Sequence, residues 1–182
     1  MKNRNVAVLL ALFAMAFASF GFAQNPMVGG HDMSLQKNII QNALNSDDHT
    51  TLVAAVKAAG LVDTLEGAGP FTVFAPTNEA FAKLPPGTFD NLLKPENKDQ
   101  LTKVLTYHVV AGRLTSNDLK NKIKEGHGTA ELTMVEGGKL QAMMLGGNIV
   151  LKDEKGGTAT VTIPNVMQSN GVIHVIDAVL LP

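Results

Sequence analysis

The residues that come nearest to a catalytic set are Ser169, His174 and Asp177, which lie within nine residues of one another. A serine nucleophile, a histidine base and an aspartate that orients the base make up the triad of many hydrolases. His174 and Asp177, however, lie in the apolar run VIHVIDAVLL, which is typical of a β-strand. Residues three apart on a strand point to opposite faces of the sheet, so these two side chains are not expected to bond to each other. We therefore interpret His174 and Asp177 as residues that hold the fold together.

No other pattern in the sequence indicates an enzyme or a metal site. The five histidines are never two, three or four residues apart, which are the usual local spacings of zinc ligands, and cysteine is absent. The sequence has no G-x-S-x-G nucleophile motif, no phosphate-binding P-loop and no dinucleotide-binding fingerprint. These patterns therefore give no basis for assigning catalytic residues, a cofactor or a metal.

Tyr107 and His108 are the remaining candidates for a functional site. Tyr107 is the only tyrosine in the chain, and the pair stands where a predicted helix passes into a short predicted strand over 107–110. A core tyrosine normally satisfies its hydroxyl with a hydrogen bond, whereas an exposed pair of this kind would be free to contact a partner. The residues alone leave both interpretations open.

The N-terminal residues predict export. Lys2 and Arg4 are the only charges before an uncharged run from Val6 to Ala23 that ends in small residues, as in a secretory signal peptide, residues 1–23. Cleavage after Ala23 would leave no membrane span, and an uncleaved anchor is the alternative because the run is almost long enough to cross a bilayer. Residues 24–34 are rich in glycine and polar residues and are predicted to form a disordered leader.

Residues 35–182 are predicted to form one domain. After removal of residues 1–23 the chain has 13 lysines and arginines against 16 carboxylates, without a basic stripe for nucleic acid or a polybasic patch for anionic lipid. No internal repeat divides it, and a chain of this size can bury an adequate core without disulfide bonds.

Periodicity predicts helices first and strands afterwards. Four helices are predicted: one with an apolar face from Leu35 to Leu44, one from Thr50 to Gly60, a short one after a Thr77 cap, and one over 97–105. The segment FTVFA at 71–75 is a predicted strand. From residue 129 onwards, strands alternate with glycine-bearing turns, and Asn170-Gly171 predicts an antiparallel hairpin between 159–167 and 172–181. The order indicates an α+β fold with an antiparallel sheet or sandwich.

Three sequence motifs resemble those of the fasciclin (FAS1) domain family. They are FTVFAPTNEAF at 71–81, YHVV at 107–110 and NGVIHVIDAVLLP at 170–182, and the similarity spans about 36–182. The resemblance implies a single domain in which helices pack along a wedge-like β-sandwich of about seven strands, without catalytic activity. The structural residues that it implies are Phe74, Pro76, Thr77, Asn170, Gly171, His174 and Asp177.

The resemblance also implies a function. Fasciclin domains are extracellular adhesion modules that bind surface receptors, matrix or envelope components, and the tyrosine–histidine motif of animal relatives is associated with integrin binding. The contact residues carried over are Leu105, Tyr107, His108, Val109 and Val110. The chain resembles the small secreted bacterial members of the family. We therefore expect a monomeric, secreted or periplasmic module whose partner is a protein or polysaccharide of the cell surface, matrix or envelope.

Two other hypotheses remain open. Met134, Met143 and Met144 could line an adaptable apolar pocket, which would make the protein a carrier of small apolar ligands or lipids in the envelope. A hydrolase that depends on His174 is the third hypothesis. The chain also departs from its relatives at Pro164-Asn165, where many carry an acidic residue, so a hydrogen bond of that carboxylate would be made by the Asn165 amide or lost.

Overall fold

The computed structural model describes residues 24–182, and the predicted signal peptide lies outside the described residues. Within residues 24–182 there are seven α-helices and nine β-strands. No helix in this range has both the length and the apolar character needed to cross a membrane.

The helices come mostly before the strands, as the sequence predicts. The helices are α1 (Ile39–Ala43), α2 (Thr50–Ala59), α3 (Val62–Glu66), α4 (Asn78–Ala82), α5 (Thr88–Leu92), α6 (Lys98–Thr106) and α7 (Ser116–Glu125). The strands are β1 (Met27–Val28), β2 (His31–Asp32), β3 (Phe71–Pro76), β4 (Val109–Ala111), β5 (Thr129–Thr133), β6 (Lys139–Leu145), β7 (Asn148–Lys152), β8 (Thr158–Gln168) and β9 (Gly171–Ile176).

Seven strands form one mostly antiparallel sheet in the order β4-β3-β9-β8-β7-β6-β5. The predicted hairpin at Asn170-Gly171 is confirmed, since Gln168 pairs with Gly171 and β8 runs antiparallel to β9. Pairing stops at Ile176, so the predicted strand to residue 181 is too long. One pair, β3 with β9, is parallel, which the expected antiparallel sheet did not include.

The sheet is continuous, whereas a sandwich would have two facing sheets. Its two edges approach each other beyond β5, where the Val135 N–H donates to the carbonyl oxygen of Val109 in β4 over 2.8 Å. The α+β fold of seven strands is therefore confirmed, and the sandwich is replaced by a single sheet whose edges nearly meet.

The central strands are buried on both faces and divide the core into two clusters. Side chains alternate along a strand, so Val73 and Ala75 of β3 face the first cluster with the helices α1 and α2, whereas Phe74 faces the second. The second cluster lies between the sheet and α7 and contains Tyr107 and Leu119. Near-continuous apolar runs such as FTVFA are expected in strands with two buried faces.

Local capping explains several element ends. The strand at 71–75 is confirmed, and Thr77 accepts a hydrogen bond from the Ala80 N–H at 3.2 Å, as predicted. Helix α2 ends at Gly60, whose φ of 73° is the left-handed conformation that glycine adopts without strain. The first helix is shorter than predicted, because Asn38 caps its N-terminus and Leu44 is already its C-terminal cap. Leu35 and Leu44, which were predicted to lie on its apolar face, are about half exposed.

Residues 24–34 differ from the predicted disordered leader. They form a hairpin in which β1 pairs with β2 and in which Val28 and Met33 are buried. The Asn25 side chain anchors the hairpin: it donates to the carbonyl of Met167 at 2.6 Å and accepts from the Met167 N–H at 2.9 Å. The composition of the segment is typical of disorder, but two apolar side chains and one well-placed amide are enough to fix it.

Candidate functional site

The predicted contact residues lie at the junction between α6 and β4, and all are buried. Their relative exposures are Leu105 4%, Tyr107 0%, His108 3%, Val109 5% and Val110 7%. Tyr107 and His108 precede the strand instead of belonging to it. The structure therefore offers none of these five side chains as a free contact surface, because each is part of the core between the helices and the sheet.

Tyr107 connects two turns of the sheet. Its hydroxyl donates to the Lys139 carbonyl at 2.6 Å and accepts from the Glu154 N–H at 3.3 Å. The ring packs against Gly138, where an added Cβ would come within 2.8 Å of the tyrosine Cε2 atom, so a residue without a side chain is needed there. Burial of the phenol raises the pKa of Tyr107 to about 12.

The titration of Tyr107 gives a direct test of this environment. Because it is the only tyrosine and tryptophan is absent, the ultraviolet absorbance of tyrosinate reports on this residue alone. We expect a midpoint near pH 12 in the native protein and near pH 10 in guanidinium chloride. A native midpoint near 10, with the fold intact by circular dichroism, would contradict the buried hydroxyl.

His108 joins α6 to the segment that follows β9. The Leu180 N–H donates to Nε2 at 3.0 Å, so the ring proton lies on Nδ1, which donates to the Val104 carbonyl at 2.7 Å. Burial lowers the pKa of His108 to about 4, although the hydrogen bond to the Val104 carbonyl and the nearby Asp153 carboxylate oppose this effect. Asp153 holds the same segment through the Leu181 N–H at 3.0 Å. His108 is therefore a neutral connector between backbone segments.

His174 and Asp177 also bond to backbone, and to different elements. His174 accepts from the Asn165 N–H at 3.2 Å and its Nε2 lies 2.7 Å from the Leu114 carbonyl, to which it donates. Burial lowers the pKa of this imidazole. Asp177 follows β9, and its carboxylate accepts from the Thr160 N–H of β8 at 2.7 Å. Both ring nitrogens of His174 are thus occupied, and neither is available to a serine nucleophile.

Asn165, where the chain is expected to depart from its relatives, bonds through its side-chain amide to the start of α7. Asn165 adopts a φ of 60°, and its side-chain oxygen accepts from the Ser116 N–H at 2.7 Å, at the first turn of α7. Its Nδ2 donates to the Ser116 hydroxyl over the same distance. The amide therefore supplies both an acceptor and a donor at this helix start.

Two further buried polar residues make contacts that were not predicted from the sequence. Asn170 forms the predicted turn, but its side chain also accepts from the Ile39 N–H at 3.0 Å and donates to the Leu65 carbonyl at 2.7 Å, which fixes α1 and α3 to the sheet. His49 lies 2.8 Å from the Ser46 hydroxyl and 3.4 Å from the Ala75 carbonyl, and burial lowers its pKa. His49 stands in the polar run NSDDHT, which gives no signal of burial.

The other predicted features are distributed over the fold. Met134 is buried in the second cluster, Met143 is half-buried and Met144 is exposed, and none of them lines the apolar cavity of the first cluster. Among the described residues, this cavity therefore does not support the hypothesis of a methionine-lined pocket. Among residues 24–182, no group of three histidines or carboxylates is placed to hold a metal ion.

Comparison with known proteins agrees with this architecture. The chain is 48% identical over 144 residues to protein sll1483 of Synechocystis sp., covering 79% of this chain and 73% of that protein. It is 34% identical over 166 residues to the cell surface glycolipoprotein MPB83 of Mycobacterium bovis, covering 88% of this chain and 68% of that protein.

A solved structure has the same fold. The FAS1 domain pair of the insect cell adhesion molecule Fasciclin I matches with a TM-score of 0.72 and 21% identity, over 80% of this chain and 51% of that chain. The model of the fasciclin domain matches residues 47–182, which include all three sequence motifs. The chain therefore belongs to the fasciclin domain family.

Proposed function

We propose that this protein is a non-enzymatic interaction module, exported and monomeric, that binds a protein or polysaccharide of the cell surface or envelope. Family membership carries the proposal, together with the names of two matched proteins, a cell surface glycolipoprotein and a cell adhesion molecule. Export is supported by the N-terminal pattern of residues 1–23. The engagement of His108 and His174 with backbone groups also favours recognition by the surface over chemistry.

The surface that we propose for binding is a pair of turns, residues 134–138 and 153–157, called the turn pair below. Tyr107 contacts the backbone at both turns, and Val109 accepts from Val135, so the buried motif positions this surface from beneath. Val135 is 48% exposed in the first turn, and charged Glu154 and Lys155 are exposed in the second. An apolar centre with a charged rim is the usual composition of a protein interface.

The motif residues would thus act indirectly in binding. Tyr107 stays in the core and holds the turn pair, whereas His108 joins α6 to Leu180. The flanking residues Leu105, Val109 and Val110 pack the junction of α6 and β4. In this proposal the buried motif contributes to recognition by positioning the turn pair. The direct contacts with the partner are made by Val135 and its neighbours.

The proposal predicts that Val135→Asp weakens binding at least tenfold, because a charge at the apolar centre of an interface must be desolvated when the partner binds. The purified protein is titrated onto intact cells and envelope fractions of the organism that produces it. Leu145→Asp is the matched control, because Leu145 is also exposed but lies at the opposite end of β6.

Three other outcomes would count against the proposal in different ways. Absence of saturable binding by the unmodified protein would contradict the adhesion function. Equal binding by both variants and the unmodified protein would exclude the turn pair. A loss confined to Leu145→Asp would place the binding surface at the exposed Met144 and Leu145, at the C-terminal end of β6.

A further inference from the structure

A cavity of about 60 Å³ lies within the first core cluster. Ile40 and Val56 line it from the helices, and Val73 lines it from β3. Val28 and Met33, from the N-terminal hairpin, close another side. Protein interiors are close-packed, and voids larger than a water molecule are few in each domain. A cavity of this size is therefore a candidate binding site.

The lining selects an apolar occupant. The polar side chains at its boundary bond to protein groups: Asn42 to Ser34 and Gln168, and His49 to Ser46. Within residues 24–182, every buried side-chain nitrogen and oxygen has a hydrogen-bond partner. A bound water needs two to four polar partners, which this cavity does not offer. Its walls therefore fit a group that makes no hydrogen bonds.

The size and position of the cavity indicate a narrow occupant. A cavity of roughly 150 Å³ accommodates benzene, so about 60 Å³ suits a few carbon atoms in a chain better than a ring. The lining extends from the buried Ile40 to Thr64, which is exposed on α3, so the cavity reaches towards the surface. An aliphatic chain could therefore enter by its end and leave a polar end group outside.

The hairpin of residues 24–34, called the strap below, can open without disturbing the main sheet. Its strands have two residues each and pair only with each other. An isolated two-stranded hairpin is marginally stable in water, and such segments open at low free-energy cost. Besides the burial of Val28 and Met33, the bonds of Asn25 to Met167 hold one end of it in place, and the bonds of Ser34 to Asn42 hold the other. Opening of the strap would widen the cavity.

We propose that this cavity binds the aliphatic chain of a small apolar molecule and that the strap is its cover. The inference goes beyond the proposed adhesion function. Val135 of the turn pair also lines the cavity, so the two proposals are tested with different variants and different measurements. Val56→Phe, Ala43→Leu and Asn25→Ala are compared by hexanol binding, whereas Val135→Asp is compared by binding to cells, so each proposal can fail while the other holds.

The test is a titration of the methyl-labelled protein with 1-hexanol, followed by methyl NMR. We expect saturable shifts of the Ile40 and Val56 methyl signals, with no shift at Leu132, which is equally buried in the second cluster. As a matched probe, 1,6-hexanediol has the same length and a hydroxyl at each end, so it should bind at least tenfold more weakly.

Variants separate the cavity from its cover. Val56→Phe fills the cavity and should weaken hexanol binding at least tenfold; Ala43→Leu, from another side of the lining, serves the same purpose if the first variant does not fold. Asn25→Ala removes the anchor of the strap and should raise the hexanol dissociation rate at least threefold.

Shifts that are equal at Ile40 and Leu132, binding unchanged in the filled variants, or no shift at hexanol saturation would each overturn the proposal. An unchanged dissociation rate in Asn25→Ala would overturn the role of the strap.

Discussion

Replacing His108 with alanine is expected to lower the free energy of unfolding by about 3–5 kcal/mol at pH 7.5. The substitution leaves the Leu180 N–H and the Val104 carbonyl without partners, and each buried unsatisfied group costs about 1–3 kcal/mol. The Val104 carbonyl does not accept the usual helical bond from the His108 N–H, because that N–H donates to the Leu105 carbonyl instead. Removal of the ring also leaves a cavity, which adds to the loss.

Urea denaturation of the unmodified protein and the variant measures this difference. His31→Ala is the control, because His31 is exposed and only contacts the exposed Asp47, so its loss should cost no more than about 1 kcal/mol. A loss below about 1 kcal/mol for His108→Ala would show that the imidazole is not a connector of α6 and the Leu180 segment.

The burial of His108 is also the point at which sequence reasoning reached its limit. An imidazole beside the only tyrosine, between a helical pattern and a strand pattern, is equally compatible with exposure and with burial. The outcome depends on Leu180, which is 72 residues away in sequence and provides the donor for the ring. Local pattern carries no information about such a partner. The sequence therefore identified the motif and left its environment undecided.

The same distinction explains which parts of the fold were predicted. The β8–β9 hairpin depends on Asn170-Gly171 and on adjacent strands, so its signal is local and the prediction was correct. The parallel pairing of β3 with β9 joins residues about 100 positions apart, and nothing in either apolar run distinguishes a parallel from an antiparallel neighbour. For the strap, the burial of Val28 and Met33 and the hydrogen bonds of Asn25 outweigh a composition that favours disorder.

The second large effect is a loss of stability in mild acid. Three buried histidines, His49, His108 and His174, each have a pKa lowered mainly by burial. Protonation would convert the acceptor nitrogen of His108 into a donor that faces the Leu180 N–H, and that of His174 into one that faces the Asn165 N–H. The native state therefore binds fewer protons than the unfolded state once the pH falls below about 6.5.

This difference in proton binding sets the direction of the stability change and the pH range in which it occurs. The contribution of the neutral histidines to stability is fully present above the unfolded pKa of about 6.5 and is lost as the pH falls towards their folded pKa. For His108, whose native pKa is about 4, the loss approaches about 3 kcal/mol at pH 4 and is about 2 kcal/mol at pH 5. The other two histidines change stability in the same direction.

The contribution of His108 is separated from the others by comparing the unmodified protein with His108→Ala at pH 7.5, 6.0 and 5.0. His49 and His174 are present in both proteins, so their effect cancels in the difference between the two free energies of unfolding. That difference should shrink by about 2 kcal/mol between pH 7.5 and 5.0, because only the unmodified protein loses the interactions of a neutral His108. Asp118, whose pKa is lowered by its bonds to Thr115, titrates below this range and is common to both proteins. A difference that stays constant with pH would mean that His108 is protonated equally in the native and unfolded states. That result would contradict the burial of a neutral imidazole between the Val104 carbonyl and the Leu180 N–H.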